Sequence, residues 1–146
     1  MIALDTNVLV RAHRRELPDH EVALARLEEL ASGEIPWAVP VFCLAEFVRV
    51  VTHPKVFDPP STLDEALGAL EGLLESPTLH LLSPGPRFAR LFFRCVRAGD
   101  ARGNLSFDAQ IAAVCLEHGT HDLVTLDGDF ARFPGLRRLG LGGDAS

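Results

Sequence analysis

An alternation constrains this chain more than any other feature. Short, mainly apolar runs at 2–4, 37–39, 79–82 and 123–126 are separated by amphipathic stretches of helical length, and the leucine-bounded stretch 136–139 offers a last short strand. Runs of three or four apolar residues bounded by turn-formers read as buried strands. Between them, Val22, Leu24, Leu27 and Leu30 predict a helix over 19–31 packed through that stripe. Leu63, Leu67, Leu70 and Leu74 predict another over 61–75, opened by a Thr62–Glu65 capping box. Pro40 is expected to open a helix over 41–52, and further helices are expected over 86–98 and 106–117, with a polar loop at 99–105. Parallel neighbours need a crossover of a dozen or more residues, which these helices supply. The expected fold is a single α/β domain over 1–141, a short-stranded parallel sheet flanked by helices on both faces, with a frayed tail at 142–146.

Open α/β sheets build their sites at the carboxyl ends of the strands. Asp5 follows the first strand, Asp127 and Asp129 follow 123–126, and Asp108 falls in the first turn of a helix. Glu46 is the only acid in the apolar run 41–51. If Asp5, Glu46, Asp108 and Asp127 converge, each pair at ~5 Å repels by ~3 kcal/mol at an effective dielectric of ~20. The six pairs then reach roughly 20 kcal/mol, above the typical stability of a domain. Such a cluster must bind protons or cations. All-oxygen ligands suit Mg²⁺ or Mn²⁺ rather than zinc, and such ions activate water and clamp a scissile phosphate. Each acid also has a purely structural alternative. Asp5 can cap a helix, Glu46 can pair with Arg49, Asp108 can stabilise its helix start, and Asp127-Gly-Asp129 can be an ordinary turn.

The net charge of −6 argues against a protein that wraps a nucleic-acid backbone by charge alone. Setting aside the five acids named above brings −6 to −1, so the acid excess is largely the requirement of one site. Arg87, Arg90, Arg94 and Arg97 recur along one helix opposite Phe88, Leu91, Phe92, Cys95 and Val96. They form either a solvated face or a stripe that tracks phosphates. Cys43, Cys95 and Cys115 lie in apolar runs without metal spacing and read as buried free thiols of a reducing compartment. With an N-terminus acidic too early for a signal peptide and no apolar run long enough to span a membrane, a cytoplasmic protein is expected. No dinucleotide fingerprint, P-loop or serine-hydrolase elbow is present.

Asp5-Thr6-Asn7 after a strand, Glu46 in the third helix, Phe107-Asp108-Ala109-Gln110-Ile111 and Val124-Thr125-Leu126-Asp127-Gly128-Asp129-Phe130 resemble the PIN-domain family. Length and element order are similar to the VapC toxins of type II (VapBC) toxin–antitoxin systems, and the resemblance runs from residue 1 to about 138. It implies an Mg²⁺- or Mn²⁺-dependent endoribonuclease that cuts transfer or ribosomal RNA and blocks translation. Asp5, Glu46, Asp108 and Asp127 match the family's acidic quartet, Asp129 matches a further acid of some members, and Asn7 and Thr125 match polar residues that steady the site. Metal ligation then falls to Asp5, Asp108, Asp127 and Asp129, with Asp127 favoured over Asp129 because it follows the strand directly. The resemblance further implies a homodimer and a VapB antitoxin that covers the site with a basic side chain. The rival readings are a binding module without catalysis and another phosphohydrolase with an acidic pocket.

Overall fold

The computed structural model describes residues 1–142; the expected tail lies, from residue 143, outside them. Strands β1 (Ile2–Leu4), β2 (Trp37–Pro40), β3 (Leu79–Leu82), β4 (Asp122–Val124) and β5 (Arg137–Leu139) form one sheet ordered β3-β2-β1-β4-β5. Every pairing is parallel. The chain winds outward from β1 through β2 to β3, then returns to the other side of β1 with β4 and β5. That reversal makes the carboxyl end of β1 the switch point where an open sheet offers a crevice.

Helices α1 (Thr6–His13), α2 (His20–Ser32), α3 (Phe42–Val51), α4 (Leu63–Leu74), α5 (Phe88–Gly99) and α6 (Leu105–Glu117) flank the sheet, and a 3-10 turn runs over Gly128–Arg132. The core is filled by Leu4, Trp37, Phe47, Leu123, Phe130 and Phe133, all but sealed from solvent. In α6, Ala109 and the run from Ile111 to Cys115 are all buried, so the helix that carries Asp108 is fixed on nearly all sides. Gly99 ends α5 against the 3-10 segment, where an added Cβ would sit 2.8 Å from the Phe133 ring. Only a glycine permits that approach.

Several sequence expectations are corrected. Pro40 does not open α3; it closes β2, in register with Leu82. The ladder to β1 ends at Ala38, so the missing prolyl N–H breaks no bond on that side. In α2, Leu24, Leu27 and Leu30 pack against the core as expected, but the fully buried residue is Ala23, and Val22 is 49% exposed. In α4 the capping box forms as expected, but Ala66 and Leu70 face inward while Leu63, Leu67 and Leu74 are exposed. In both helices a small alanine lets the backbone approach its neighbours, and periodicity counted on large residues misses that contact. The fourth strand stops at Val124, although the Thr125 N–H still donates to the Leu139 carbonyl at 3.0 Å. The segment after Asp127 is a 3-10 turn, not the simple turn its Gly and Asp imply.

Candidate active site

Asp5 stands at the switch point. Its N–H donates to the Val124 carbonyl at 3.0 Å, extending the β1–β4 ladder by one residue. Its side chain caps α1, with Oδ1 accepting from the Thr6 N–H at 2.8 Å. The structural alternative for Asp5 is therefore real, and it coexists with a site role. Oδ2 accepts from the Thr125 hydroxyl at 2.7 Å and from the Asn7 amide at 3.2 Å. Asn7 also donates to Thr125 Oγ1 at 3.1 Å and accepts from the Leu126 N–H at 3.2 Å. Thr125 Oγ1 in turn accepts from the Asp127 N–H at 3.0 Å. One hydroxyl and one amide thus join the ends of β1 and β4 around a single carboxylate.

Three further acids converge in front of it. Asp108 from α6 and Asp127 and Asp129 from the 3-10 segment each offer an oxygen within 4.8 Å of the others, and all three are half-buried. Asp127 Oδ1 accepts from the Asp129 N–H at 2.8 Å, which holds the two acids of the turn in a fixed relation. The backbone brings both Asp127 and Asp129 to the cluster. Arg132 touches Asp129 at 3.4 Å and donates to the Gly99 carbonyl at 3.0 Å. Glu46 projects from α3 into the same cleft, a space of about 760 Å³ that also takes in Arg49, Phe107, Asp108 and Asp129. Among the described residues no salt bridge joins Glu46 to Arg49, so the pairing offered as its structural alternative does not form.

The electrostatics follow from this geometry. Burial pushes the Asp5 carboxyl up to about 6 even though Thr125 and Thr6 oppose the rise, and the charges of Glu46 and Asp127 add to it. Asp108 is pushed up to about 7, by burial first and then by the charges of Asp127, Asp5, Glu46 and Asp129. All five sequence-selected acids therefore share one field. Burial and mutual repulsion together make Asp5 and Asp108 hold their protons well above the ordinary carboxylate range.

The arginine stripe divides. Arg87 is engaged with Glu117: its N–H donates to Oε2 at 2.9 Å and its guanidinium to the Glu117 carbonyl at 2.8 Å. Arg90, Arg94 and Arg97 are exposed on α5 and lie outside the cleft's lining. Sequence reading left Arg49, Asn104 and the Phe107 ring out of the site. For Arg49 the signal was helical spacing, three residues after Glu46, whereas Asn104 and Phe107 could have been found only from their place at the start of the helix that carries Asp108.

A five-stranded parallel sheet with acids gathered at its switch point defines a class, and residues 2–136 match the PIN domain model. The chain belongs to the PIN-domain family. Within it, the chain is 40% identical over 137 residues to Ribonuclease VapC43 of Mycobacterium tuberculosis, covering 94% of this chain and 92% of that protein. Ribonuclease VapC31 of the same species is 35% identical over 139 residues, covering 95% and 97%. The fold is also that of VapBC2 from Rickettsia felis, solved bound to a DNA fragment from its promoter, with a TM-score of 0.69, 21% identity and coverage of 96% and 98%.

Proposed function

We propose that this chain is an endoribonuclease toxin of the VapC type that uses a divalent cation, Mg²⁺ or Mn²⁺, to hydrolyse RNA. The observation that carries the reading is the meeting of Asp108, Asp127 and Asp129 within 4.8 Å at the mouth of a cleft. A hard divalent cation fits this set, because every donor is oxygen and the raised Asp108 carboxyl reflects burial together with the charges of the acids around it. Asp5, Asp108, Asp127 and Asp129 would hold it. When bound, such an ion lowers the pKa of water and neutralises charge on a phosphate.

The chain's own residues do the rest. Thr6, Asn7 and Thr125 fix Asp5 so that its lone pairs keep one direction. Glu46, on the α3 wall of the cleft, makes no salt bridge among the described residues, and its carboxylate faces the same space as Asp108 and Asp129, where it can serve as a base. Arg90, Arg94 and Arg97 offer a phosphate-tracking face outside the cleft.

Similarity to proteins named ribonucleases supports the activity, and likeness in fold to a VapBC complex supports a VapB-type antitoxin as partner; the family resemblance has that antitoxin cover the acids with a basic side chain. Transfer or ribosomal RNA as substrate, and a homodimer, follow from the same resemblance. Three free, buried cysteines fit a reducing cytoplasm, and no helix among the described residues is long and apolar enough to cross a membrane. A phosphatase that used Asp5 as nucleophile would want an acid two residues on, where Asn7 instead serves to hold Asp5.

The test is cleavage of bulk cellular RNA with Mg²⁺ or Mn²⁺. Asp5→Asn and Asp108→Asn are expected to lose roughly 10³-fold in rate, about 4 kcal/mol of transition-state stabilisation. Equal cleavage by wild type and Asp5→Asn would falsify the assignment.

A further inference from the structure

Phe107 is out of place by the ordinary logic of a core. It sits one residue before Asp108, in the first turn of the most buried helix of the fold, yet it is 61% exposed. Its neighbours in sequence explain nothing of this, because Ala109 and Ile111 already supply the helix's inward face. The ring lines the same cleft as Glu46, Asp108 and Asp129. Opposite it, α3 contributes Phe42 and Arg49. Phe42 is already engaged, its ring 5.8 Å from that of Phe88, whereas Phe107 has no aromatic partner among the described residues. Arg49 is exposed and makes no salt bridge among the described residues.

The geometry points to Phe107 as a stacking platform for one unpaired nucleobase, with Arg49 across the cleft as the anchor for a neighbouring phosphate. Three features carry it. A free aromatic face beside a carboxylate cluster is what a splayed-out base needs, because every base has a π-face and stacking tolerates its identity. A guanidinium fork matches phosphate, and Arg49 is the basic side chain that lines the cleft. The volume of about 760 Å³ falls in the range of ligand sites, about 300–1,000 Å³. A second copy of this chain is a poor occupant. An isologous contact centred here would bring the acids of one copy toward those of the other. Asn104 and Gln110, also in the lining, give the stacked base hydrogen-bonding neighbours.

The inference deepens the ribonuclease reading and rests on it for the kind of ligand. Its test therefore reads binding, not cleavage. The Asp5→Asn protein, with Mg²⁺, is titrated with a mixed-sequence RNA decamer, once single-stranded and once as a perfect duplex. On that background Phe107→Ala and Phe107→Leu are expected to weaken single-strand binding on the order of ten-fold, and Phe107→Trp to restore it. The decamer should quench the emission of the indole that Phe107→Trp introduces, while buried Trp37 reports no change. Arg49→Gln should weaken binding and flatten its salt dependence by the equivalent of about one phosphate, a slope change of about 0.7. Duplex binding should be weak and unmoved by any of these changes. Undiminished binding by Phe107→Leu, or no quenching in Phe107→Trp, would overturn stacking. An unchanged RNA affinity in Phe107→Ala with loss of a co-expressed protein partner would overturn it too and assign the ring to that partner. Failure of the ribonuclease reading appears separately, as wild-type protein that leaves RNA intact.

Discussion

Asp5 and Asp108 are both acids with raised carboxyls in one site, yet they are built in opposite ways. Asp5 is buried and saturated with donors from Thr6, Asn7 and Thr125, so its position belongs to the fold. Asp108 is half-buried beside Asp127 and Asp129, in the field of Asp5 and Glu46 as well, and its carboxyl accepts no hydrogen bond among the described residues, so its charge is left over. The difference teaches that the site has a rigid floor and an unbalanced rim. The floor sets direction, whereas the rim sets the demand for a cation. A cluster whose members were all like Asp5 would be a satisfied core network with no use for a ligand.

The largest effect that separates floor from rim is the pH dependence of the metal-free protein. Both acids hold protons more tightly when folded, at about 6 and about 7, than at the unfolded value of 3.8. The folded state therefore binds the extra protons between pH ~4 and ~7, and stability falls as pH rises through that window. Asp5 alone accounts for about 3 kcal/mol, and Asp108 adds a smaller amount because solvent screens it. In chelator, melting at pH 8 should come roughly 6–12 °C below that at pH 4.5. Mn²⁺ should reverse the loss at pH 8, adding about 2.7 kcal/mol at a hundredfold excess over its Kd. A flat melting profile, or Mn²⁺ without effect, would break the contrast.

A smaller effect probes the floor. Thr125→Val keeps the side chain's shape but removes the hydroxyl that serves Asp5, Asn7 and Asp127. Denaturation should register a loss of about 1–3 kcal/mol. Mn²⁺ titration should register about 10- to 100-fold weaker binding, because the floor orients what the rim holds. Stability lost with metal affinity untouched would mean that floor and rim are independent.

The smallest effect lies outside both. Replacing Arg90 and Arg94 together by alanine should weaken RNA binding modestly and reduce its salt slope by about 0.7 for each phosphate no longer neutralised. Metal affinity should not move. Unchanged binding would leave α5 as a solvated face and confine RNA to the cleft.

Much of the architecture was legible in the chain. Short apolar runs became strands because three or four residues bounded by turn-formers are too few for a stable helix and bury well in a sheet, and the Thr62–Glu65 cap formed because it is a purely local bond pair. The errors came where packing, not periodicity, decides. Pro40 finished a strand because β3 alone pairs with it there, and Ala23 and Ala66 face inward where periodicity also placed Val22, Leu63, Leu67 and Leu74, which are exposed.

The site divides along the same line. By itself the sequence determined which donor groups the site can offer. Five acids at element ends, with no zinc-type spacing, admit oxygen-bound divalent cations, and that inference needs only residue types and their places along the strands. Convergence was decided by the tertiary structure alone. Asp5 and Thr125 are 120 residues apart and meet at 2.7 Å because β1 and β4 pair in parallel. Asp127 and Asp129 both reach Asp108 because a 3-10 turn, tighter than the residues alone imply, aims both carboxylates at α6. Charge is a property of residues, but the cost of charge depends on distance and burial, and those exist only once the chain is folded.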